Sequence, residues 1–481
     1  MLKKKLIYSF CIIGVFCSAQ NHIDALRYSK ESLWGSARFT AMGGAFGSLG
    51  ANANSSSYNP AGIAIYTTNE FSGSFDFLSL ESETQYYENS SYDSKGKVSI
   101  PNLNYISANV FSPDDVGDWS RFNFGIGYNK LDDYNKNSSF SAEQNEYSFS
   151  DIILNVAQGN SFDVLDSFDA LLGFNTYLID TVGGTSSYAS VVRGDMNKLQ
   201  SFNSQESGSK NEFYISFGTA YQNRLFIGAT IGFPGIDFTQ YNSIREENFS
   251  GSEDEIIDLK YFDYNTNLYV SGSGINLKLG LIYQLDDQIR YGFALHTPTF
   301  YEIHEEYWSS MNTEFTAGES YYSESFLGVF DYSLNTPFKV INSLSCVIKK
   351  MAIISLDFEY IDYSMANINS DFYNFSSVNN DIKSFYTSSS NLKIGGELKI
   401  HPQLSIRGGY AFYGSPFTGE LNDASKEYLT MGLGLKVNQY FFDFALLNSI
   451  SKENLFIYEG ANSANISNSR GSLLLSAGFK F

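Results

Sequence analysis

The stretch FYISFGTAYQNRLFIGATIGF, residues 213–233, contains the pattern that decides the fold. Apolar side chains alternate with small or polar ones along residues 213–221 and again along 225–233, and the polar pair Gln222 and Asn223 lies between the two runs. A period of two is typical of a β-strand whose faces meet different surroundings. Two such runs with so short a connection predict an antiparallel hairpin.

Short polar connections recur between pairs of predicted strands farther along the chain. They lie at Asp286/Asp287, Lys349/Lys350, His401/Pro402 and Asn438/Gln439, whereas the connections between successive pairs are much longer. Tight turns at one end and long loops at the other are typical of bacterial outer-membrane barrels, whose strands must pair without an open edge in lipid. The runs number fourteen, near residues 69–80, 102–111, 121–130, 212–221, 224–233, 273–285, 288–298, 336–348, 351–362, 391–400, 403–413, 428–437, 440–448 and 472–481.

The end of the chain indicates what each face of a strand meets. Residues 472–481 place one set of apolar side chains on a single face: Leu473, Leu475, Ala477, Phe479 and Phe481. The 35 Tyr and 41 Phe residues would supply aromatic girdles at both membrane interfaces. We therefore predict an all-β fold, a 14-stranded antiparallel transmembrane β-barrel with its short turns in the periplasm. A soluble sandwich or propeller is the alternative, because alternation within one strand is a weak signal.

The N-terminus has the features of a secretory signal peptide. Three lysines at positions 3–5 precede an apolar run at 6–17, and Ser18 and Ala19 suit cleavage, so we assign residues 1–19 to this signal. The net charge of −21 argues against a nucleic-acid partner. Only Cys346 follows the signal peptide, which predicts no disulfide within the mature chain and no thiolate metal site.

Two segments do not have the pattern of barrel strands. The longest predicted loop, residues 131–210, contains apolar residues near helical spacing at 161–179, which predicts one or two external helices, either a hydrophobic capture lid or a cover over the barrel mouth. Residues 20–68 include the small-residue stretch 36–50 and the stretch 57–64. Such a segment buries little by itself, so we expect it to thread into the barrel and plug it as a hatch with short helices.

The leading segment resembles a known family. Arg38 with Gly43 and Gly44, followed by Asn59-Pro60-Ala61, is similar to the N-terminal hatch of the FadL/TodX family of outer-membrane transporters for long-chain fatty acids and other hydrophobic compounds. Four further stretches resemble the barrel of this family: residues 296–300, 336–340, 357–363 and 404–417. The resemblance implies a hatch at residues 20–68 inside a barrel at 69–481.

The resemblance also implies roles for particular residues. Asn59, Pro60 and Ala61 match the hatch motif, so they are expected either to take part in gating or only to hold the hatch fold. Family members often release ligand through a lateral opening in the wall. Gly125 and Gly127, in the third predicted strand, could allow a bulge and such an opening.

The implied function is transport and not catalysis. We expect a monomer in the outer membrane of a Gram-negative bacterium, surrounded by outer-membrane lipid, that admits hydrophobic small molecules by facilitated diffusion, with long-chain fatty acids as the first substrates to test. No cofactor and no catalytic residue are predicted. The alternatives are a barrel that binds a partner protein, as a secretion shuttle or adhesin, and a receptor for haem or another hydrophobic ligand.

Charged residues on the predicted inward faces conflict with a purely apolar path. We expect them to pair across the lumen, because buried charges are tolerated when they neutralise one another. They are Lys278, Asp357, Glu359, Lys393, Glu397, Lys399, Arg407, Lys436 and Asp443. The four histidines, His22, His296, His304 and His401, show no metal-binding spacing, and no Gly-x-Ser-x-Gly motif of a serine hydrolase is present.

Overall fold

A computed structural model describes residues 21–111, 118–250, 258–349, 351–419, 422–458 and 460–481, so the predicted signal peptide lies outside the described residues. Most of these residues form one antiparallel sheet that closes on itself. Its wall has fourteen strands: β1 (Glu70–Tyr86), β2 (Asn89–Val110), β3 (Trp119–Asp133), β4 (Asn197–Tyr221), β5 (Leu225–Ser250), β6 (Leu259–Gln284), β7 (Ile289–His296), β8 (Lys339–Ile348), β9 (Ala352–Asp362), β10 (Ser388–His401), β11 (Leu404–Tyr413), β12 (Lys426–Val437), β13 (Tyr440–Phe456) and β14 (Ser463–Lys480).

The wall closes between its first and last strands. Each strand pairs with its neighbour along the chain, and β14 pairs with β1 from Glu70 opposite Lys480 to Gln85 opposite Asn465. The predicted 14-stranded antiparallel barrel is therefore confirmed. All fourteen predicted runs fall on wall strands, but several strands are much longer than predicted.

The longest strands extend well beyond a bilayer. At about 3.4 Å per residue, the 25 residues of β4 and the 26 of β5 and of β6 span roughly 85 Å, against a hydrocarbon thickness of about 30 Å. The outward side chains of β4 are exposed and apolar at Phe213 and Phe217. From Asn211 back toward the start of the strand, the outward side chains are polar. The sequence pattern thus marked the apolar half of each strand and not its full length.

Turn geometry differs between the two ends of the barrel. Gln222 and Asn223 have φ values of +48° and +53°, and Asn438 has +55°, in the left-handed region that tight hairpin turns use. These turns define the short-turn end, and the opposite end is the long-loop end. There, β1 and β2 are also joined by a tight turn at Tyr87, so the predicted alternation of short and long connections is wrong at this point. The parts of β1 and β2 beside this turn are polar on both faces, so the alternation of apolar and polar residues that marks the other strands is missing there.

Two prolines interrupt the wall near the middle of the chain. Pro298 separates β7 from the strand Phe300–Phe315, and Pro337 separates the strand Gly328–Asn335 from β8. Proline donates no backbone hydrogen bond, so the ladder breaks at each site. Above the breaks the chain adds strands that raise the wall at the long-loop end: Phe300–Phe315, Ser320–Glu324, Gly328–Asn335 and Asn367–Asn369.

The leading segment lies inside the barrel and contains three short helices. They are α1 (His22–Ser29), α2 (Ala37–Ala41) and α3 (Ser55–Tyr58), followed by the 3-10 helix Pro60–Ile65. Helix α1 lies at the long-loop end, where Tyr386 OH donates to the His22 carbonyl at 3.1 Å. Residue Asn69 lies at the short-turn end, where its N–H donates to the Phe481 carbonyl at 3.1 Å. The hatch therefore runs along the lumen from one end to the other.

Residues 136–196 contain more structure than the predicted loop. After the strand Lys136–Gln144 come α4 (Phe149–Ala157), the 3-10 helix Phe162–Val164, α5 (Ala170–Asn175) and a small hairpin of Ile179–Thr181 with Tyr188–Ser190. We refer to residues 145–196 as the cap. Beyond it, the 3-10 helix Tyr363–Met365 and helix α6 (Ser376–Phe385) follow β9. Among the described residues, no helix has the length and apolar character needed to cross a membrane.

Candidate functional site

Asn59 joins three parts of the plugged barrel. Its Oδ1 accepts the Ala61 N–H at 3.1 Å and caps the 3-10 helix, whose first residue is Pro60. Its Nδ2 lies 2.5 Å from the Gly47 carbonyl oxygen inside the hatch and 3.3 and 3.4 Å from the Leu281 and Phe293 carbonyl oxygens of the wall. The side chain is almost completely buried. The motif predicted for the hatch therefore includes a contact between hatch and wall.

Glycines of the wall make room for this motif. A Cβ at Gly228 would lie 2.2 Å from the Pro60 carbonyl oxygen, and a Cβ at Gly280 would lie 2.0 Å from Asn59 Oδ1. Carbon atoms do not approach oxygen this closely, so both positions require glycine while the hatch is docked. The two glycines face each other across β5 and β6.

Gly43 and Gly44 form the turn after α2. Their φ values are +62° and +74°, which non-glycine residues rarely adopt. A Cβ at Gly43 would also lie 2.9 Å from the Tyr410 carbonyl oxygen of the wall. Opposite this turn, a Cβ at Gly409 would lie 2.2 Å from the Gly43 nitrogen. The hatch backbone and the wall are thus in direct contact here.

Arg38 belongs to an ion-pair network at the short-turn end. Its Nε lies 2.9 Å from Glu397 Oε2, which also accepts from Arg407 Nε at 2.7 Å. Arg407 Nη1 reaches Asp443 Oδ1 at 2.5 Å. Farther inside, Lys278 pairs with Glu212 at 2.7 Å and Lys393 with Glu359 at 3.2 Å. Pairing of inward charges is confirmed for these residues, but the pairs join nearby wall strands, or the wall and the hatch, and not opposite sides of the lumen. Asp357 accepts the Gly47 N–H at 2.8 Å and has no ion pair among the described residues, and Lys399 and Lys436 are exposed at the mouth and likewise unpaired there.

Wall side chains also bind the main chain of the hatch. Cations and one histidine contact hatch carbonyl oxygens along its length: Lys210 to Tyr28, Arg470 to Leu33, Arg290 to Leu49, His296 to Tyr58, and Arg121 to Ala64 and Ile65. Hydrogen bonds to a charged donor are stronger than neutral ones. Because these contacts involve main-chain atoms of the hatch, they do not depend on its side chains. The sequence of the hatch therefore could not indicate them.

Cavities of about 280 Å³ or more lie at three levels of the lumen. The outer cavity, about 390 Å³, lies at the long-loop end; apolar residues such as Leu26, Ile244 and Phe417 form most of its surface, and polar ones such as Gln240 and Glu206 also line it. The middle cavity, about 280 Å³, is charged and shares Arg27, Lys30 and Lys136 with the outer one. The lower cavity, about 310 Å³, opens at the short-turn end around Arg38 and Glu397.

Trp34 lies at the floor of the middle cavity. The Arg470 guanidinium carbon lies 3.6 Å from the centre of its ring, and Lys130 Nζ lies 4.5 Å from that centre. Both cations therefore make cation–π contacts with Trp34. The ring also lines a smaller buried cavity of about 70 Å³ below. Residues 35–65 of the hatch then fill the lumen above the lower cavity. An axial path is therefore blocked in this conformation.

The cap covers part of the long-loop end and exposes apolar side chains. A buried carboxylate fastens it: Glu246 accepts from Ser148 Oγ at 2.6 Å and from the Phe149 N–H at 2.9 Å. Aromatic contacts continue from the cap to the raised wall, where the Phe168 and Phe326 ring centres are 4.9 Å apart. Around them, several large apolar residues are at least half exposed: Phe162, Val164, Tyr177, Val182, Tyr322, Phe326 and Leu327.

Backbone pairing of the wall is incomplete between β2 and the chain that follows it. Their ladder runs from Val110 opposite Arg121 to Asn102 opposite Asn129, and in the described chain residues 89–101 of β2 pair only with β1. The strand Lys136–Gln144 pairs with β4 instead. Side chains bridge the interval, since Asp93 accepts the Ser139 N–H at 2.8 Å and Asn89 Nδ2 reaches the Ser141 carbonyl at 2.8 Å. We refer to this interval as the wall seam; the middle cavity reaches it at Asp93 and Asp133.

Gly125 and Gly127, the glycines predicted for a lateral opening, do not lie at the wall seam. Gly125 and Gly127 are within the continuous ladder of β3 on both sides, so the predicted bulge at these residues is wrong. Both face the lumen, where a Cβ at Gly125 would lie 2.7 Å from Ile63 of the hatch and one at Gly127 would lie 2.3 Å from Asn104 Oδ1. Close packing explains these glycines. Pro101, which donates no hydrogen bond, marks the start of the seam and could have indicated it.

The described residues contain no group of three or more His, Cys, Asp or Glu side chains that could hold a metal ion. The histidines make separate contacts. His296 contacts the hatch at the Tyr58 carbonyl, and His304 pairs with Asp331 on the raised wall. His22 packs against Phe385 with ring centres 4.9 Å apart, and burial lowers its pKa below the ordinary value.

Comparison with known proteins places this geometry in a class. A closed antiparallel barrel that contains its own leading segment is a plugged β-barrel, and here the fold is that of the FadL and TodX transporter structures. A FadL homologue of Pseudomonas aeruginosa aligns with 94% of this chain and 99% of its own, with a TM-score of 0.57 and 11% identity. The toluene transporter TodX of Pseudomonas putida aligns with 94% of this chain and 100% of its own, with a TM-score of 0.54 and 14% identity.

A third structure extends the comparison. The monoaromatic hydrocarbon channel CymD aligns with 92% of this chain and 96% of its own, with a TM-score of 0.50 and 12% identity. No protein-family model matches the sequence, and a search of curated proteins finds no significant match. At these identities the likeness establishes the fold, including its N-terminal plug.

Proposed function

We propose that this chain is an outer-membrane channel through which small hydrophobic compounds enter a Gram-negative cell. One observation carries the proposal: an outer cavity with a mainly apolar surface lies at the long-loop end of a closed barrel whose axial path is blocked by the hatch. A general porin has no need of an apolar cavity or a plug. The neighbours in fold are named as toluene and hydrocarbon transporters, which supports the same class of substrate.

The outward face supports a place in a bilayer. Apolar side chains point outward from consecutive strands, for example Leu429, Met431 and Leu433 on β12. Polar outward residues above this belt, such as Asn211 and Ser209 on β4, would lie outside the cell, which orients the short-turn end toward the periplasm. The closed wall favours a monomer surrounded by lipid.

The proposed route begins on the exposed apolar residues of the cap. A ligand that leaves them enters the outer cavity and then meets the charged middle cavity, whose floor is Trp34. From there the ligand either displaces the hatch or leaves sideways through the lower end of the wall seam, where Val98 and Ile100 are exposed on the outward face of β2 and would meet lipid. No chemical step is needed, so we propose facilitated diffusion by a protein that is not an enzyme. Long-chain fatty acids remain the first substrates to test.

Ligand binding and uptake by the purified protein test this proposal. We expect saturable binding of a long-chain fatty acid or toluene in neutral detergent, and accumulation inside proteoliposomes. Deletion of residues 21–68 should keep the barrel closed, because β1 begins at Glu70, but should weaken binding and open a large conductance. A tightly bound partner protein without any hydrophobic ligand would contradict transport and favour the shuttle or adhesin alternative.

A further inference from the structure

The cap is joined to the wall at one place along the chain. The strand Lys136–Gln144 leads into it and β4 leads out of it, and Gln144 lies opposite Lys198 in the ladder of these two strands. Within the cap, α4 packs directly on α5, since a Cβ at Gly173 of α5 would lie 2.5 Å from Ile153 of α4. The cap therefore has packing of its own and a narrow attachment, so it can leave or rejoin the surrounding loops as one unit.

Two carboxylates are buried where the cap meets its surroundings. Asp169 precedes α5 and accepts the Ala170 N–H, and the carbonyl of the neighbouring Phe168 accepts from Tyr264 OH of the wall at 3.0 Å. Glu246 lies on β5 against the start of α4. Asp169 is 6% exposed and Glu246 is fully buried. Among the described residues neither carboxylate has an ion-pair partner.

Glu246 joins the cap to two other parts of the long-loop end. Besides its donors in the cap, Ser148 and the Phe149 N–H, it accepts from Gln200 Nε2 of β4 at 2.7 Å, and the Tyr458 hydroxyl after β13 lies 3.5 Å away. Neutral donors satisfy the oxygens, but burial of a carboxylate without a counter-ion is costly. A bound proton removes this charge and still leaves an oxygen to accept the Phe149 N–H.

Few charged groups face the two carboxylates. Lys198 and Tyr86 face Glu246, but Lys198 Nζ donates to two carbonyl oxygens of the cap at 2.8 and 3.0 Å. Burial, and then the charge of Asp166, raise the pKa of Asp169 to about 6. Burial also raises the pKa of Glu246, although Lys198 and the hydrogen-bond donors act in the opposite direction. Both carboxyls therefore bind a proton more tightly while the cap is docked than when they are open to water.

We propose that the cap is a proton-linked lid, whose docked state is stabilised when protons bind Asp169 and Glu246. Acidification of the external medium then closes the long-loop end more firmly, and a neutral medium favours release of the cap. For Asp169 the stabilisation is complete below about pH 4 and is lost as the pH rises through about 6. The inference goes beyond the proposed function because it needs no ligand; only the outward orientation of the cap rests on that function.

Hydrogen exchange of the full chain in neutral detergent tests the lid. Protection factors of α4 and α5 are compared at about pH 5 and about pH 7.5, because division by the intrinsic rate removes the pH dependence of exchange itself. A carboxyl whose pKa rises from about 4 to about 6 on docking should make the protection of α5 about tenfold greater at the lower pH. Protection of β12 should be the same at both pH values.

Neutral replacements of the same shape locate the effect. Asp169→Asn and Glu246→Gln each keep an acceptor oxygen and remove the charge, so each should raise protection at the higher pH and weaken the pH dependence. The double variant should abolish the dependence. Asp163→Asn and Asp180→Asn neutralise exposed carboxylates of the cap and should keep the wild-type behaviour. Electrophoretic mobility of the unheated barrel confirms that each variant is folded.

Three results would overturn the lid. The first is wild-type protection that is equal at the two pH values or greater at the higher one. The second is a pH dependence that persists in the double variant, because other groups would then bind the protons. The third is loss of cap protection at both pH values in the neutral variants, because the two groups would then be needed as charged acceptors. None of these results bears on hydrophobic transport, which ligand uptake tests separately.

Discussion

Single glycines of the wall set how closely the hatch can approach. Gly409 and Gly408 are neighbours on β11, but only Gly409 faces the hatch, where its Cβ would lie 2.2 Å from the Gly43 nitrogen. The Cβ of Gly408 would have no atom nearer than 3.9 Å. Because backbone atoms cannot yield as a flexible side chain can, an added methyl must push the hatch away.

We therefore expect Gly409→Ala to loosen the hatch and Gly408→Ala to leave it docked. Overpacking of this kind costs about 1–3 kcal/mol. Single-channel recording in planar bilayers should show more frequent conducting events for Gly409→Ala than for the wild type. Equal conductance of the two alanine variants would contradict the proposed contact.

Asn59 makes a second prediction at this scale. Replacement by alanine removes the helix cap and leaves the Gly47 and wall carbonyl oxygens without their donor, which should destabilise hatch docking by about 1–3 kcal/mol. Hydrogen exchange of residues 47–62 should quicken in Asn59→Ala while exchange in β12 stays slow. Asn203→Ala, on the outward face of β4, serves as the control. Unchanged exchange would limit Asn59 to a local role.

Sequence identified some of these residues and missed others for a physical reason. Asn59, Pro60, Ala61 and Arg38 stand in a compact motif, so one sequence indicates them. Their partners, such as Leu281 and Glu397, are more than two hundred residues away and are brought close only by closure of the barrel. The inward period of β11 could have indicated Gly409, but nothing in that period distinguishes packing from flexibility.

At the scale of elements, the apolar half of each strand was predictable and the polar half was not. Lipid requires apolar side chains on the outward face, so every second residue of a strand is apolar there, as in β4 from Phe213 to Tyr221. Above the membrane both faces meet water or the cap, so the period disappears and the strand continues unmarked. For the same reason, apolar and polar residues do not alternate clearly in the strand Lys136–Gln144 and helix α4, and both were predicted as part of a loop.

The wall seam gives a prediction at this scale. In a Cys346→Ser background, cysteines at Asp93 and Ser139, whose side chains are 3.0 Å apart, should form a disulfide that ties β2 to the strand Lys136–Gln144. If ligand leaves sideways, uptake into proteoliposomes should fall when the bond forms and recover on reduction. Cysteines at Ser82 and Asn468, which join β1 and β14 at 2.7 Å, provide the matched control. Unaffected uptake in the oxidised seam variant would direct the exit through the hatch instead.

The course of the hatch has a consequence for biogenesis. Its first helix lies beneath the long-loop end while its last residues lie at the short-turn end beside Phe481, and wall cations bind its carbonyls on several sides. A tube that had already formed would have to admit the whole segment through its short-turn mouth, because the cap and the raised wall cover the other end. Closure of β14 against β1 around a segment already in place avoids this threading, so we expect the order of synthesis, plug first and final strand last, to be the order of assembly as well.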